Sequence, residues 1–271
     1  MVTQVKSARS VLKINSMRFN LYKLLAPDFT IGKIIVVRKS IADSIRLLVA
    51  RPTEESFRFA RLMLKVKPQF TMVTNKNLLT LYNLVRQVNR LELPGDIVEC
   101  GVWNGGSAAV MGLANIEEVH SSIDRMIWLF DSFQGLPPAS DKDGEAERKN
   151  YFEGWNKGDV NKVHKVFRKL RVPLTRVNII PGWFETTLMR AEIDRIAILH
   201  IDADWYKSVK LVLDVFYNKV VPGGFVILND YGAWPGCNRA LDDFLVEHGM
   251  TDIELTIVEP TTGAYFQKPA L

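Results

Sequence analysis

A chain of 271 residues, 47% apolar and 24% charged, is long enough to bury a full α/β core and reads as one large domain with an appended piece. No apolar run reaches the roughly 18 residues that a membrane-spanning helix needs, and the first thirty residues lack a secretory layout, so the expected location is the cytoplasm. Cys100 and Cys237 fall outside any CxxC spacing, which argues against a disulfide framework or zinc site and for two reduced, buried thiols.

The net charge of +5 hides a split. Residues 1–67 hold fourteen Lys and Arg against four Asp and Glu, leaving 21 against 26 for the rest. Such a basic segment can lie against anionic lipid, nucleic acid or an acidic partner. It carries no nucleic-acid motif, however, and its apolar residues, among them Leu12, Met17, Phe19 and Leu25, are frequent enough to pack. Residues 1–70 are therefore expected to form a mainly helical piece. It would act as a cap, as an oligomerisation segment of a homo-oligomer, or as a docking segment for a membrane surface or protein. Residues 71–271 form the main domain.

From there strands and helices alternate. Leu78, Leu81, Leu84 or Val85 and Val88 recur at helical spacing and stop at "PGD". "IVECGV" (97–102) reads as a strand, followed by Gly105, Gly106 and a small-residue helix from Ser107. "MIWLFD" (126–131) is a second strand, with a long polar loop and a helix through "VHKVFRKL" behind it. Further strands are "RVNII" (176–180), "RIAILHID" (195–202) and "GGFVILND" (223–230). Helices are predicted through "SVKLVLDVFYNKV" and "RALDDFLVEHG", the first ending at "PGG" and the second at Gly249. The terminal "IELTIVEPTTGAYFQK" predicts a hairpin.

Continuous apolar strands separated by helices imply a parallel sheet covered on both faces, with ligands outside the carboxyl ends of the strands. Glu99, Asp131, Asp202 and Asp230 all fall at such ends. Burying one unpaired carboxylate is costly, so four on one rim suggest bound ligands or a cation. The loop "VECGVWNGGS" separates the cofactor classes. Its glycines are spaced GxxxGG rather than GxGxxG, and Glu99 stands in front of them, where it would repel a pyrophosphate. An acid there suits a cofactor with an ammonium and a sulfonium, and Asp131 can then accept from ribose hydroxyls. The pattern favours S-adenosylmethionine over NAD.

"PGDIVECGVWNGGSA", "LFDSFQGLP", "IIPGWFETTL", "LHIDADWYKS", "VPGGFVILNDYG" and "PGCNRALDDF", in this order, resemble the macrocin O-methyltransferase (TylF-like) family. The likeness runs from about Thr71 to His248. It implies a Rossmann-like class I methyltransferase of α/β class, a seven-stranded sheet with the last strand antiparallel, that methylates sugar hydroxyls with a divalent metal, Mg²⁺ or another. By resemblance, Glu99, Gly101, Asn104, Gly105 and Ser107 hold the amino-acid end of the cofactor. Asp131 and Ser132 take the ribose, Gly182, Trp183 and Phe184 lie near the adenine, and Thr71 and Met72 close over it, with Asp202 touching it too. Trp183 also has a plain reading as a packing aromatic. The implied metal ligands are Asp202, Asn229 and Asp230, and the implied general base is Asp204. Where the family is expected to place two adjacent acids, this chain has Asn229 and Asp230; asparagine still offers an oxygen to a hard cation.

A divalent ion lowers the pKa of bound water from about 15.7 to about 7, and a hydroxyl on such an ion loses its proton more easily. Strand alternation predicts Asp202 and Asp204 on one side, one to grip the metal and one to face the hydroxyl. His200, one pleat deeper, reads as a core or supporting residue more than a rival base. The loop over 137–159 is long enough to be a lid, with Tyr151, Phe152 and Trp155 available to stack on an acceptor, which would be a small molecule or glycan. Two alternatives remain open on residues alone: an NAD-dependent sugar oxidoreductase, and a non-catalytic docking module of the same fold.

Overall fold

The computed structural model describes Ala42 and residues 53–117, 124–259 and 261–269. The expectations for the basic N-terminal segment lie outside these residues up to position 52. The chain divides into two compact units between Pro68 and Gln69. In the first, helix α1 (Glu54–Val66) starts at a reciprocal cap, where Thr53 and Ser56 each accept the other's backbone N–H through their side-chain oxygens. Among the described residues, no helix is long and apolar enough to cross a membrane.

The second unit is built on a seven-stranded sheet in the order β3-β2-β1-β4-β5-β7-β6. Its strands are β1 (Asp96–Cys100), β2 (Ile127–Asp131), β3 (Val177–Pro181), β4 (Ile196–Ile201), β5 (Val220–Leu228), β6 (Thr256–Glu259) and β7 (Thr262–Gln267). The first five run parallel, and β7 pairs antiparallel with both β5 and β6. This is the Rossmann-like arrangement expected of the sequence. All six residues of β4 are buried, as a central strand covered on both faces requires, whereas the edge strand β3 stays half-buried. Helix α2 (Asn75–Arg90) buries the predicted stripe of Leu78, Leu81, Leu84, Val85 and Val88. Between the sheet strands run α3 (Gly106–Glu117), α4 (Glu145–Asn150), α5 (Val160–Leu170), α6 (Phe184–Thr187), α7 (Tyr206–Phe216) and α8 (Pro235–Glu247).

Most boundaries shift by a residue or two, and two of the larger differences from the sequence reading have a local cause. Helix α8 begins at Pro235, four residues before the predicted Arg239, because proline is well placed in a first turn whose N–H groups have no helical acceptor. Strand β5 begins at Val220 and runs through the "PGG" expected to be a break. It survives there because the partner strand's continuation takes up the pairing: Gly223 donates to the Lys268 carbonyl and Lys268 to that of Gly224, both at 2.8 Å.

The turn from α2 into β1 is organised by a buried cation that sequence patterning did not single out. Arg125 is fully buried and donates through Nε to Asn89 Oδ1 at 2.7 Å, and through its terminal nitrogens to the carbonyls of Val88 (3.1 Å), Leu93 (2.6 Å) and Gly95. Burial lowers its pKa to about 10, with Asp96 working in the opposite direction, so it stays charged at neutral pH. Lysine cannot reproduce this planar fork. Arg125→Lys is therefore expected to lose about 1–3 kcal/mol of unfolding free energy through carbonyls left without donors, read as a lower urea midpoint at unchanged slope.

Candidate active site

The carboxyl ends of β1, β2 and β4 bring together most of the residues singled out in the sequence. Register sets Glu99 opposite His200 on the neighbouring strand, and Glu99 Oε1 lies 2.8 Å from His200 Nδ1. Both side chains are buried, and Glu99 Oε2 has no hydrogen-bond partner. That idle acceptor, beside the glycine loop, fits the ammonium of an amino-acid cofactor. His200 is thereby a supporting residue that orients Glu99.

After β1 the backbone turns at Gly101, with φ +91°, and passes so close to β4 that a Cβ there would stand 1.9 Å from the Asp202 carbonyl oxygen. Asp131, at the end of β2, holds this loop from the other side. Its Oδ2 accepts from the N–H groups of Val102 and Trp103, both at 2.8 Å, and its Oδ1 from Phe133 at 2.6 Å. Burial raises the Asp131 pKa first of all, and the three backbone donors pull it back down. A carboxylate has about four acceptor positions, and these three bonds leave about one of them on Asp131 unused. Ser132 is tied into its own turn, donating to the Gly135 carbonyl at 2.8 Å.

The remaining predicted cofactor residues divide by what their side chains do. Asn104 is buried and bridges two segments, donating to the Gln69 carbonyl at 3.2 Å and accepting from Asp159 at 3.1 Å, which makes it a staple of the loop. Gly105 and Ser107 lie at the start of α3, Ser107 almost fully buried. Thr71 is buried with its Oγ1 accepting from Val73, while Met72 is partly exposed. Gly182 follows β3 and donates to the Asp131 carbonyl at 2.9 Å. Trp183, partly exposed, and Phe184 open α6 next to it. The exposure of Trp183 disfavours the reading of it as a core packing aromatic.

The second cluster is Asp202, Asp204, Asn229 and Asp230. Strand alternation does not place Asp204, because β4 ends at Ile201 and the chain turns left-handed at Asp204, with φ +54°. That turn, tolerable for aspartate, carries Asp204 toward Asp230, whose Oδ2 accepts the Asp204 N–H at 3.2 Å. Burial, followed by Asp230, pushes the pKa values of both Asp202 and Asp204 well above the usual carboxylate range. Asn229 Nδ2 stands between two of the acids, 2.9 Å from Asp202 Oδ1 and 3.3 Å from Asp230 Oδ1.

Among the described residues, no group of three or more His, Cys, Asp or Glu side chains is arranged to hold a metal ion. The donor chemistry nonetheless fits a hard divalent cation. Two carboxylates held against mutual repulsion converge on one amide, and all three groups offer oxygens once that amide turns.

A carboxyl whose folded-state pKa lies above its unfolded value makes folding most favourable below the unfolded pKa, and that stability is lost as pH rises through the folded value. The metal-free protein is thus expected to carry a penalty at neutral pH, first from burial of the carboxyl and then from the like charge of Asp230. Asp202→Asn should raise its Tm there, by about 2–4 °C per kcal/mol of repulsion removed, and the gain should vanish on acidification. A thermal melt series in chelator across pH checks this; a Tm lower than wild type at neutral pH would contradict it.

The polar segment 137–159 is folded over this cluster. The Trp205 indole N–H donates to the Pro137 carbonyl at 2.9 Å, and Asp143 Oδ1 accepts from Tyr206 at the start of α7 at 2.8 Å. Trp155 stacks on Phe152 with centroids 5.4 Å apart and meets Trp205 and Trp234 edge-on at 5.8 and 6.4 Å. Trp155 is buried in this box and cannot offer its face to an acceptor; Phe152 is exposed and can. Asn156 and Trp234 hydrogen-bond the Asp204 side chain. Sequence reasoning missed both, along with Asn77, which donates to Asn229 Oδ1 at 3.0 Å. Asn156 lies inside the 137–159 loop and Trp234 directly before the "PGCNRALDDF" block, but neither position stands out by spacing.

The Macrocin-O-methyltransferase (TylF) family matches residues 37–268, wider on both sides than the blocks quoted above. Over 201 residues the chain is 35% identical to demethyldecarbamoylnovobiocin O-methyltransferase of Streptomyces niveus, covering 73% of this chain and 75% of that one. Over 205 residues it is 32% identical to mycinamicin III 3''-O-methyltransferase of Micromonospora griseorubida, covering 74% and 79%. Among solved structures, the O-methyltransferase NovP superposes with a TM-score of 0.67 at 32% identity, over 74% of this chain and 83% of that one.

Proposed function

We infer the chemistry from one premise: the chain belongs to the macrocin O-methyltransferase family and is an S-adenosylmethionine-dependent O-methyltransferase. Its acceptor is a hydroxyl on a sugar, on a glycosylated small molecule or on a glycan. Asp204 is the general base, and Asp202, Asn229 and Asp230 hold a divalent cation such as Mg²⁺. The observation that carries this reading is the position of Asp204: a buried carboxylate of raised pKa beside Asp230, at the same sheet edge as the glycine loop and the idle oxygen of Glu99. The printed names of the relatives, which methylate novobiocin-type and mycinamicin compounds, support a small-molecule acceptor.

When bound, S-adenosylmethionine supplies a methyl group on a sulfonium, and a divalent cation eases loss of the acceptor's proton. Glu99, fixed by His200, binds the ammonium through Oε2. Asp131 keeps the glycine loop in shape through three backbone N–H groups and offers its remaining lone pair to the ribose. Asp204 takes the hydroxyl proton, and its raised pKa makes it a stronger base than an ordinary carboxylate. Trp155, Trp205 and Trp234 wall off water on the side of segment 137–159. The protein's main remaining task is alignment of the oxygen with the methyl.

Calorimetric titration with S-adenosylmethionine is expected to give saturable 1:1 binding, and methyl transfer to a panel of sugars and glycosides is expected to stop on adding chelator and return with Mg²⁺. Transfer that continues unchanged in chelator would remove the metal from the mechanism.

A further inference from the structure

Asn229 turns its nitrogen, and not its oxygen, toward Asp202 and Asp230. Its oxygen faces the other way and accepts from Asn77 Nδ2 at 3.0 Å. Asn77 stands in the first turn of α2, where its backbone N–H is fixed on Thr74 Oγ1. It is 5% exposed, and its own side-chain oxygen has no hydrogen-bond partner. Gly263, at φ +90°, closes the space behind it: a Cβ there would lie 2.6 Å from both Oδ1 and Nδ2 of Asn77. A buried carbonyl oxygen without a donor costs about 1–3 kcal/mol, and native interiors leave few of them. The idle oxygen therefore needs a use.

We propose that Asn77 is a positioning residue of the cation site, a reversible partner that lets Asn229 present either its nitrogen or its oxygen to Asp202 and Asp230. The proposal rests on the metal reading given above. With the nitrogen forward, Asn229 donates to both acids and partly offsets their charge where a cation would. A hard cation takes the oxygen instead. A half-turn of the amide about its last side-chain torsion exchanges nitrogen and oxygen at nearly the same positions. That turn points Nδ2 of Asn229 at residue 77, which must then accept. Asn77 does so with Oδ1, the idle atom, after a half-turn of its own. Aspartate at this position could only accept, lysine could only donate and leucine could do neither; asparagine serves both orientations.

The test is calorimetric titration of the full chain with MgCl₂ alone, without cofactor or acceptor. Wild type is expected to bind one Mg²⁺. Asn77→Leu loses one hydrogen bond in each orientation of Asn229, so the losses largely cancel and its affinity is expected to stay within about threefold of wild type. Asn77→Asp, an obligate acceptor, favours only the oxygen-forward amide and is expected to bind about tenfold more tightly than wild type. In an Asn229→Asp background no amide remains to turn, and there the gain from Asn77→Asp is expected to disappear.

A second readout survives a leucine variant that fails to fold. The side-chain amide NMR signals of both Asn77 and Asn229 in wild type should move as Mg²⁺ is added. If wild type binds no Mg²⁺, the metal reading and this proposal fall together. Three results overturn the proposal alone and leave the metal in place: Asn77→Asp binding no more tightly than wild type, an equal gain in both backgrounds, or an Asn77 amide signal that stays fixed while Asn229 shifts.

Discussion

Asp204→Asn is expected to lower kcat by about 10²–10⁴-fold, the usual contribution of a positioned base, with cofactor affinity within a factor of about two of wild type. The substitution is close to isosteric, and asparagine adopts the left-handed backbone at φ +54° as readily as aspartate. The backbone bond from residue 204 to Asp230 Oδ2 does not involve the side chain and is retained. Folding is not at risk, because the change removes a buried charge beside Asp230; a Tm equal to or above wild type is expected in chelator. The pH profile separates a base from a binding residue. A carboxylate works as a base only when deprotonated, and burial, the first cause of the raised Asp204 pKa, does not depend on the charge of Asp230, so the wild-type rate should begin to fall on acidification at a higher pH than an ordinary aspartate would give. The residual Asp204→Asn rate should lack that limb. A variant with kcat within threefold of wild type would show that the proton leaves by another route. His200 is a poor substitute, since its Nδ1 is engaged by Glu99 inside the sheet.

The sheet was legible because its signals are local. Runs such as "IAIL" are apolar throughout, which only a strand covered on both faces tolerates, and each ends near an acid or a glycine turn that marks the ligand edge. The tertiary partners were not legible. Nothing in "NKNLL" says that Asn77 crosses to Asn229, because the contact depends on α2 packing beside the end of β5, 152 positions away. Alternation does not reach Asp204, which has already left the strand; a left-handed turn brings it to Asp230. Asn104 carries the pattern of a cofactor loop, yet its side chain is taken up by Gln69 and Asp159, contacts that no spacing rule anticipates. Trp155 looked exposed because its segment is polar. Trp205 and Trp234, from two other elements, bury it. Patterning located the strand ends, and packing decided which side chains there are free to act.

Gly101→Ala tests whether that strand-end geometry is what binds the cofactor. Gly101 lies between two neighbours: its N–H donates to the Phe130 carbonyl at 2.9 Å, and the adjoining Cys100 carbonyl accepts from Asp202 at 2.8 Å. An added methyl would meet the Asp202 carbonyl oxygen at 1.9 Å and its carbon at 2.6 Å. Both are backbone atoms, so no side-chain rotation relieves the clash, and the glycine loop must move away from β4. The φ of +91° adds backbone strain of about 1–3 kcal/mol for any residue with a Cβ. Displacement by about an ångström is enough to lose on the order of 10²-fold in a positioned reaction. We expect S-adenosylmethionine affinity and kcat/KM each to fall by about 100-fold or more. The Asp131 bonds to Val102 and Trp103 would loosen with the loop, which amide hydrogen exchange at those two residues would report. Gly154→Ala is the control for strain alone. It has φ +81° but nothing within 4 Å of the added methyl, so it should lose stability and keep near-normal cofactor affinity. Equal losses of affinity in the two variants would mean that close approach at Gly101 is not what shapes the cofactor loop. A deficit confined to Gly101→Ala ties cofactor binding to the contact between the β1 turn and the backbone of Asp202.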